Sequence, residues 1–319
     1  MKLVITLATR GRPQKLLDTI KRSTANLVLP NTVYMVQVDD DDTETIGALA
    51  KAELDARVAV NIKPREDTIA AKWNRALSEP ADLYLVAADD DPYVTPEYDA
   101  KFLEAAKLFP DGIGMVYGRM ANSSFTGAVS ITRKLTEKYG NIIFPEYFPY
   151  WFVDHWTDDL AKLIGRIAFA DVGTDQSDVG KTQEMREPAW WATWFDAAYL
   201  IRRRIALKII DDPEFQTPDW QKEILRRQMP LVEHKSRSIN DYVRKRDVEL
   251  RLWSGLDDKM DERYLRLRDK AVAMIPQLFD GMNRDEVEQF RAMLLLPMVV
   301  QAAWDHQDDR LAALLKQWL

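Results

Sequence analysis

Leu83-Tyr84-Leu85-Val86-Ala87-Ala88-Asp89-Asp90-Asp91 is the stretch on which the fold turns. Six apolar residues without polar alternation read as a short strand buried on both faces. Three carboxylates then end it. Two other runs follow the same pattern. Leu3-Val4-Ile5-Thr6-Leu7 gives way to Thr9-Arg10-Gly11-Arg12-Pro13, and Val33-Tyr34-Met35-Val36-Gln37-Val38 gives way to Asp39-Asp40-Asp41-Asp42. Further strands are expected over 58–62 and 113–117. Between the strands the apolar spacing turns helical, over 14–24, 45–56, 68–77 and 97–108. Leu16, Leu17 and Ile20 fall on one face of the first helix, with Pro13 near its start. Strands alternating with helices of this length predict βαβ units, hence an α/β, Rossmann-like fold with a mostly parallel sheet. Such sheets bind ligands beyond the carboxyl ends of their strands, where both acidic runs lie.

The character changes near residue 190. From Trp194 on, helical periodicity and charged residues dominate and no strand is legible. Breaks fall at Asp211-Asp212-Pro213, Thr217-Pro218-Asp219, Met229-Pro230 and Gly281, with Thr217 or Asp219 expected to cap a helix. Two domains are therefore expected: 1–190, α/β, and 191–319, all-helical.

The chain has 319 residues, a formal net charge of -7 and no cysteine. Disulfides, thiolate metal sites and cysteine nucleophiles are excluded, and a cytoplasmic location is expected. A strongly basic nucleic-acid binder would carry the opposite charge. There are three histidines, His155, His234 and His306, so a metal site must lean on carboxylates. The apolar run at 1–7 is too short for a signal peptide, and nothing approaches the roughly 20 apolar residues of a membrane span.

Three clusters carry chemistry. Asp89, Asp90 and Asp91 repel one another unless solvent or a cation neutralises them, and hard cations such as Mg²⁺ and Mn²⁺ take carboxylate oxygens. A polar loop before Pro92 is the competing reading. Asp39, first after its strand, is placed to accept hydrogen bonds from a ribose or base, whereas Asp41 and Asp42 read as a solvated loop capping the next helix. In Thr9-Arg10-Gly11-Arg12-Pro13 the glycine permits close backbone approach and the arginines offer planar forks for phosphate or base. Neither a P-loop nor a Gly-x-Gly-x-x-Gly turn is present, which removes the main support for nicotinamide or flavin chemistry.

The order of these motifs resembles that of the GT-A-fold, family 2-like glycosyltransferases, which use nucleoside-diphosphate sugars. The residues that carry the resemblance are Ile5 to Pro13, Val36-Gln37-Val38-Asp39-Asp40, Ala70-Ala71-Lys72-Trp73-Asn74-Arg75-Ala76, and Tyr84 to Asp91 with Pro96 beyond. They cover residues 3 to 118 well, and the resemblance reaches residue 170. The resemblance implies a GT-A fold and a metal-dependent transfer from a nucleoside-diphosphate sugar, UDP-sugar first, with Mn²⁺ or Mg²⁺. Donor-binding residues would be Thr9, Arg10, Arg12, Asp39, Asn74, Asp89 and Asp90. Counting back from Pro96 favours Asp89 and Asp91 as the metal-binding Asp-x-Asp pair, with Asp90 open as well. Some members add a late histidine as metal ligand, and His234 is the candidate.

In inverting members a carboxylate near a helix that ends in glycine deprotonates the acceptor. In Asp154-His155-Trp156-Thr157-Asp158-Asp159-Leu160-Ala161-Lys162-Leu163-Ile164-Gly165 that places Asp154 first and Asp158 second, although Asp158 and Asp159 also read as N-terminal acids favoured by the helix dipole. Aromatics crowd 144–156 and recur at Trp190, Trp191 and Trp194, suited to sugars or, more simply, to core. The acceptor expected is a glycan, a lipid-linked sugar or a modified DNA base. Basic runs such as Arg202-Arg203-Arg204 are the hint towards DNA. A DNA-directed, viral-type enzyme and a non-catalytic GT-A-like binding module are the alternatives.

Overall fold

The computed structural model describes residues 1–119, 127–148, 152–175, 191, 194–195, 198–229, 262–280, 282–295 and 309–318. The chain forms two compact units. The first comprises Met1–Pro145, Thr157–Lys181 and Asp211–Gln216, and the second Glu146–Trp156, Thr182–Ile210 and Thr217–Leu319.

The first unit is built on a seven-stranded sheet. Its strands are β1 (Leu3–Ala8), β2 (Val33–Asp39), β3 (Val58–Lys63), β4 (Leu83–Ala88), β5 (Met115–Arg119), β6 (Gly127–Thr132) and β7 (Ile167–Gly173), in the spatial order β3-β2-β1-β4-β6-β5-β7. All neighbours run parallel except β6, which is antiparallel to β4 and β5. The expected α/β class with a mostly parallel sheet is therefore what the chain adopts.

Register decides where the site forms. Ala8 lies opposite Gln37 on one side and Ala88 on the other. The residues that follow, Thr9 and Asp89, therefore emerge side by side, with Asp39 at the end of β2 beside them. The strands can end together because the interiors of β1, β2 and β4 are mostly apolar, with Thr6 and Gln37 buried but hydrogen-bonded: Leu3, Val4, Ile5, Leu7, Val36, Val38, Leu83 and Leu85 are all fully buried. Each such side chain contributes about 1.5–3 kcal/mol by leaving water, which holds the strands in register beneath the polar ends.

Helices α1 (Pro13–Thr24), α2 (Thr43–Lys51), α3 (Ile69–Asn74, continued by a 3₁₀ turn Arg75–Ser78), α4 (Tyr98–Ala106) and α5 (Arg133–Lys138) complete this unit. Leu16 and Ile20 of α1 are buried as their spacing predicts, while Leu17 is only partly buried. The fifth strand begins two residues later than expected. Asp111-Gly112 makes a turn there, with Gly112 at φ +73°, and the Asp111 carboxylate receives the Ile113 N–H. Strands β6 and β7 lie outside the expected set.

Helix α6 (Val153–Leu163) is stopped by Gly165 at φ +65°, with the Arg166 N–H donating to the Ala161 carbonyl. The left-handed conformation explains the glycine. Because the helix starts at Val153, Asp158 and Asp159 sit inside it and are not N-terminal acids.

In the second unit the described elements are helical: α7 (Tyr199–Asp211, whose last residue belongs to the first unit), α8 (Asp219–Arg227), α9 (Glu262–Ala273), α10 (Ile275–Phe279), α11 (Arg284–Phe290) and α12 (Asp309–Lys316), with a π turn at Arg291–Leu295. Helix α8 has Pro218 at its N-cap and no side-chain cap, so neither Thr217 nor Asp219 caps it. Phe148, Trp156, Trp191 and Trp194 are buried here, with Phe148 centroids 6.1 Å from Trp156 and 5.6 Å from Trp191. These aromatics are core. Arg202 is buried with them, its guanidinium 3.8 Å above the Phe195 ring and its Nη1 donating to the Phe195 carbonyl. Arg202 therefore presents no charge to a polyanion. No helix among the described residues is long and apolar enough to cross a membrane.

Candidate active site

Three strand ends of the first unit supply the site. After β1 the chain turns through Thr9-Arg10-Gly11-Arg12. Gly11 has φ +64°, a conformation costly to any residue with a side chain, and its N–H donates to Asp42 Oδ2 at 2.8 Å. Asp42 also caps α2 through the Thr45 N–H, as expected of it. The turn directs the two arginines apart. Arg10 forms a two-pronged pair with Asp41, at 2.6 and 2.9 Å, and reaches Asp39 Oδ2 at 3.2 Å. Arg12 turns to the other acidic run.

Asp39 is buried, with 1% of its side chain exposed, among three cations. Lys72 Nζ donates to Oδ2 at 2.7 Å, Arg75 Nη2 to Oδ1 at 3.2 Å, and Arg10 Nη1 to Oδ2. Lys72 also donates to the Thr9 carbonyl at 3.1 Å, tying α3 to the β1 turn. Burial lowers the Lys72 ammonium, and Asp39 restores it only in part. Lys72 and Arg75 stand three residues apart near the end of α3, on one helical face, and Thr68 caps that helix through the Ala71 N–H. Both residues lie in the quoted 70–76 motif, but the sequence offered no means of pairing them with Asp39 across 33 and 36 residues.

Asn74, from the same motif, is occupied elsewhere. Its Nδ2 donates to the Phe144 carbonyl at 2.9 Å, and its Oδ1 accepts the Ile143 and Phe144 N–H groups at 2.8 and 3.0 Å. Beside it Trp73 donates Nε1–H to the Ala87 carbonyl, one residue from the end of β4, and packs edge-on against Phe144. Asn74 thus anchors a loop in this structure.

The third strand end carries the acids. Asp89 is 1% exposed; Thr9 Oγ1 donates to its Oδ2 at 2.7 Å, and Thr19 Oγ1 donates to its backbone carbonyl at 2.9 Å. Arg12 spans two carboxylates, with Nη2 on Asp89 Oδ1 and Nη1 on Asp90 Oδ2 at 2.7 Å. Burial pushes the Asp89 carboxyl up, opposed but not cancelled by Arg12 and Thr9. Asp91 follows, partly buried. The strand ends thus bring Thr9, Arg10, Arg12, Asp39, Asp89, Asp90 and Asp91 into one region.

These acids suit a hard divalent cation in donor chemistry, since they offer only oxygen, and Asp89 is a buried anion that requires a positive partner. Among the described residues no group of three or more His, Asp or Glu side chains is arranged to hold a metal. A cation here would draw its remaining ligands from substrate oxygens and water, as Mg²⁺ commonly does. His234 lies outside the described residues.

The two remaining acids sit on α6. Asp154, in its first turn, belongs to the second unit, and its side chain is 43% exposed. Partial burial pushes its carboxyl up; the His155 imidazole at 2.8 Å and two backbone N–H groups pull it down further, leaving it below the usual carboxylate value. Asp158, in the first unit, is nearly buried, and its Oδ2 accepts from Lys162 Nζ at 2.5 Å.

No family profile matches this chain, nor does any curated protein. Solved structures do resemble it. One is TarS 1–349 of S. aureus in complex with UDP-GlcNAc, 14% identical, covering 100% of this chain and 91% of that one with a TM-score of 0.49. Another is the mannosyltransferase PcManGT from Pyrobaculum calidifontis in complex with GDP-Man and Mn²⁺, 14% identical, covering 95% of this chain and 87% of that one, also at 0.49. At such identity neither transfers a residue role to this chain.

Proposed function

We propose that the chain is a GT-A-type glycosyltransferase that takes a sugar from a nucleoside diphosphate and passes it, with inversion, to an acceptor hydroxyl. The observation that carries this reading is the convergence of three strand ends: a buried aspartate amid cations at β2, an arginine turn at β1, and an acidic run at β4. These features suit, in turn, the nucleoside, the phosphates and a cation shared with the phosphates. Asp39, oriented by Lys72 and Arg75, accepts hydrogen bonds from the nucleoside. Arg10 and Arg12 face the phosphates with planar donors. Asp89 and Asp91 would hold Mn²⁺ or Mg²⁺, with Asp90 beside them, and such an ion would supply positive charge to a departing diphosphate.

The acceptor's proton goes to a carboxylate of α6, Asp154 first. Its side chain is 43% exposed at the start of α6, so it is accessible to an acceptor hydroxyl; the His155 contact that holds its carboxyl low makes it a weaker base than a free aspartate. Asp158, salt-bridged to Lys162, is second. Residues 1–190 bind the donor, and 191–319, read from the sequence as helical, have an acceptor-binding or packing role.

A thermal-shift panel of nucleoside diphosphates, each with Mn²⁺ and with EDTA, tests the reading. A ligand at 100 times its Kd stabilises by about 2.7 kcal/mol, so at least one diphosphate raises Tm with Mn²⁺ and much less with EDTA. Unmoved melting throughout the panel overturns it.

A further inference from the structure

The acidic run already has a cation. Arg12 places one nitrogen on Asp89 Oδ1 and the other on Asp90 Oδ2, while Thr9 occupies Asp89 Oδ2. An ion seated on Asp89 would have to take an oxygen that the guanidinium holds. Asp89 is nearly fully buried, and a buried carboxylate without a positive partner is strongly unfavourable, so removing Arg12 leaves a demand for another cation.

Arg12 is also built to let go. Its backbone is fixed at the N-cap of α1, where its carbonyl accepts the Leu16 N–H at 3.0 Å, and its side chain makes no capping bond. The side chain is 42% exposed, so it can swing away without opening the core. What it needs is another bidentate anionic partner, and a diphosphate is one.

We propose that Arg12 is an internal counter-ion latch: in the ligand-free protein it stands in for the divalent cation on Asp89, with its other nitrogen on the neighbouring Asp90, and a diphosphate draws it off so that cation and nucleotide load together. This rests on the donor reading above. Free Mn²⁺ then competes with the guanidinium and binds weakly, whereas Mn²⁺ with a diphosphate does not. By linkage, each ligand tightens the other by the same factor, and much of that coupling resides in Arg12.

The test is an Mn²⁺ titration followed by electron paramagnetic resonance of the free ion, at pH 8, on the full chain with and without UDP or GDP. Arg12→Gln removes the charge and keeps polar reach; Arg12→Lys keeps the charge, but a single ammonium spans two carboxylates poorly. Without nucleotide, Arg12→Gln is expected to bind Mn²⁺ about 10-fold more tightly than the parent, within the usual range of such couplings, and Arg12→Lys to fall between. The tightening of Mn²⁺ by nucleotide, large in the parent, shrinks in Arg12→Gln. Near-UV circular dichroism checks the fold, and Arg12→Lys carries the comparison if Arg12→Gln does not fold. Nucleotide-free Mn²⁺ affinity unchanged or weakened in the folded variants overturns the latch. Failure of both diphosphates to tighten Mn²⁺ in the parent counts against the donor reading instead, so the two failures are distinguishable.

Discussion

Replacing Asn74 with alanine separates a loop anchor from a ligand contact. The side chain makes three hydrogen bonds to the backbone of Ile143 and Phe144, and those two residues are 0% and 1% exposed. Each bond contributes about 1 kcal/mol, and two N–H groups and one carbonyl would lose a protein partner where water is largely excluded. The expected loss is about 2–4 kcal/mol, or about 5–10 °C in Tm for a domain of this size. Asn74→Asp keeps the acceptor for both N–H groups but sets a carboxylate oxygen against the Phe144 carbonyl, so the repulsion there offsets the retained bonds and the loss should be no smaller than that of alanine. Urea unfolding followed by tryptophan fluorescence reads the stability. Calorimetric titration of a nucleoside diphosphate with Mn²⁺, well below the melting range, reads affinity, which is expected to match the parent. Affinity that collapses while stability holds would refute the anchor and make Asn74 a donor-binding residue.

Other expectations follow from the same geometry. Asp55 is held at about 2 by Arg57, below its ordinary 3.8, so its stabilisation is full above pH 3.8 and is lost as pH falls towards 2. Asp55→Asn should cost about 1 kcal/mol at pH 7, after discount for partial exposure, with the gap to the parent closing in acid-unfolding curves by pH 2; a constant gap would contradict it. If Asp154 is the proton acceptor, Asp154→Asn should lower transfer by about 10²–10⁴ with donor affinity kept. Asp158→Asn should mainly cost stability, by loss of its charge pair with Lys162, and a reversal of the two effects in steady-state kinetics would move the base to Asp158. Gly165→Ala, at φ +65°, should destabilise by about 1 kcal/mol in thermal melts, and no change would contradict the left-handed stop.

Continuous apolar runs were the legible part of the fold. Strands β1 to β4 are such runs ended by charge or turn residues, and local composition suffices to find them. Strand β6, Gly-Ala-Val-Ser-Ile-Thr, is short, mixed and followed at once by a helix, so no local signal marks it. Strand β7 does carry one: Ala168, Ala170 and Val172 alternate inwards against Phe169 and Asp171, a period of two that starts directly after the helix ending at Gly165. At the site, the acids and arginines were legible because they follow strands directly. Their partnerships were not. Lys72 meets Asp39, and Arg12 meets Asp89 and Asp90, only because parallel pairing aligns three distant strand ends. Asn74 looks the same in sequence whether it holds a ligand or a loop; only the proximity of residues 143–144 distinguishes the two.

In the function proposed above, the cluster of strand ends binds a nucleoside diphosphate through a buried aspartate and a cation-binding acid. The most direct test is calorimetric titration of the best-stabilising diphosphate, with saturating Mn²⁺, into the parent, Asp39→Asn and Asp91→Asn. Saturable binding by the parent is expected, weakened at least about 10-fold by either change, a loss of about 1.4 kcal/mol or more. Asp91→Asn is also expected to abolish the difference between Mn²⁺ and EDTA. Equal affinity in all three folded proteins, or binding indifferent to Mn²⁺ in the parent, would contradict it.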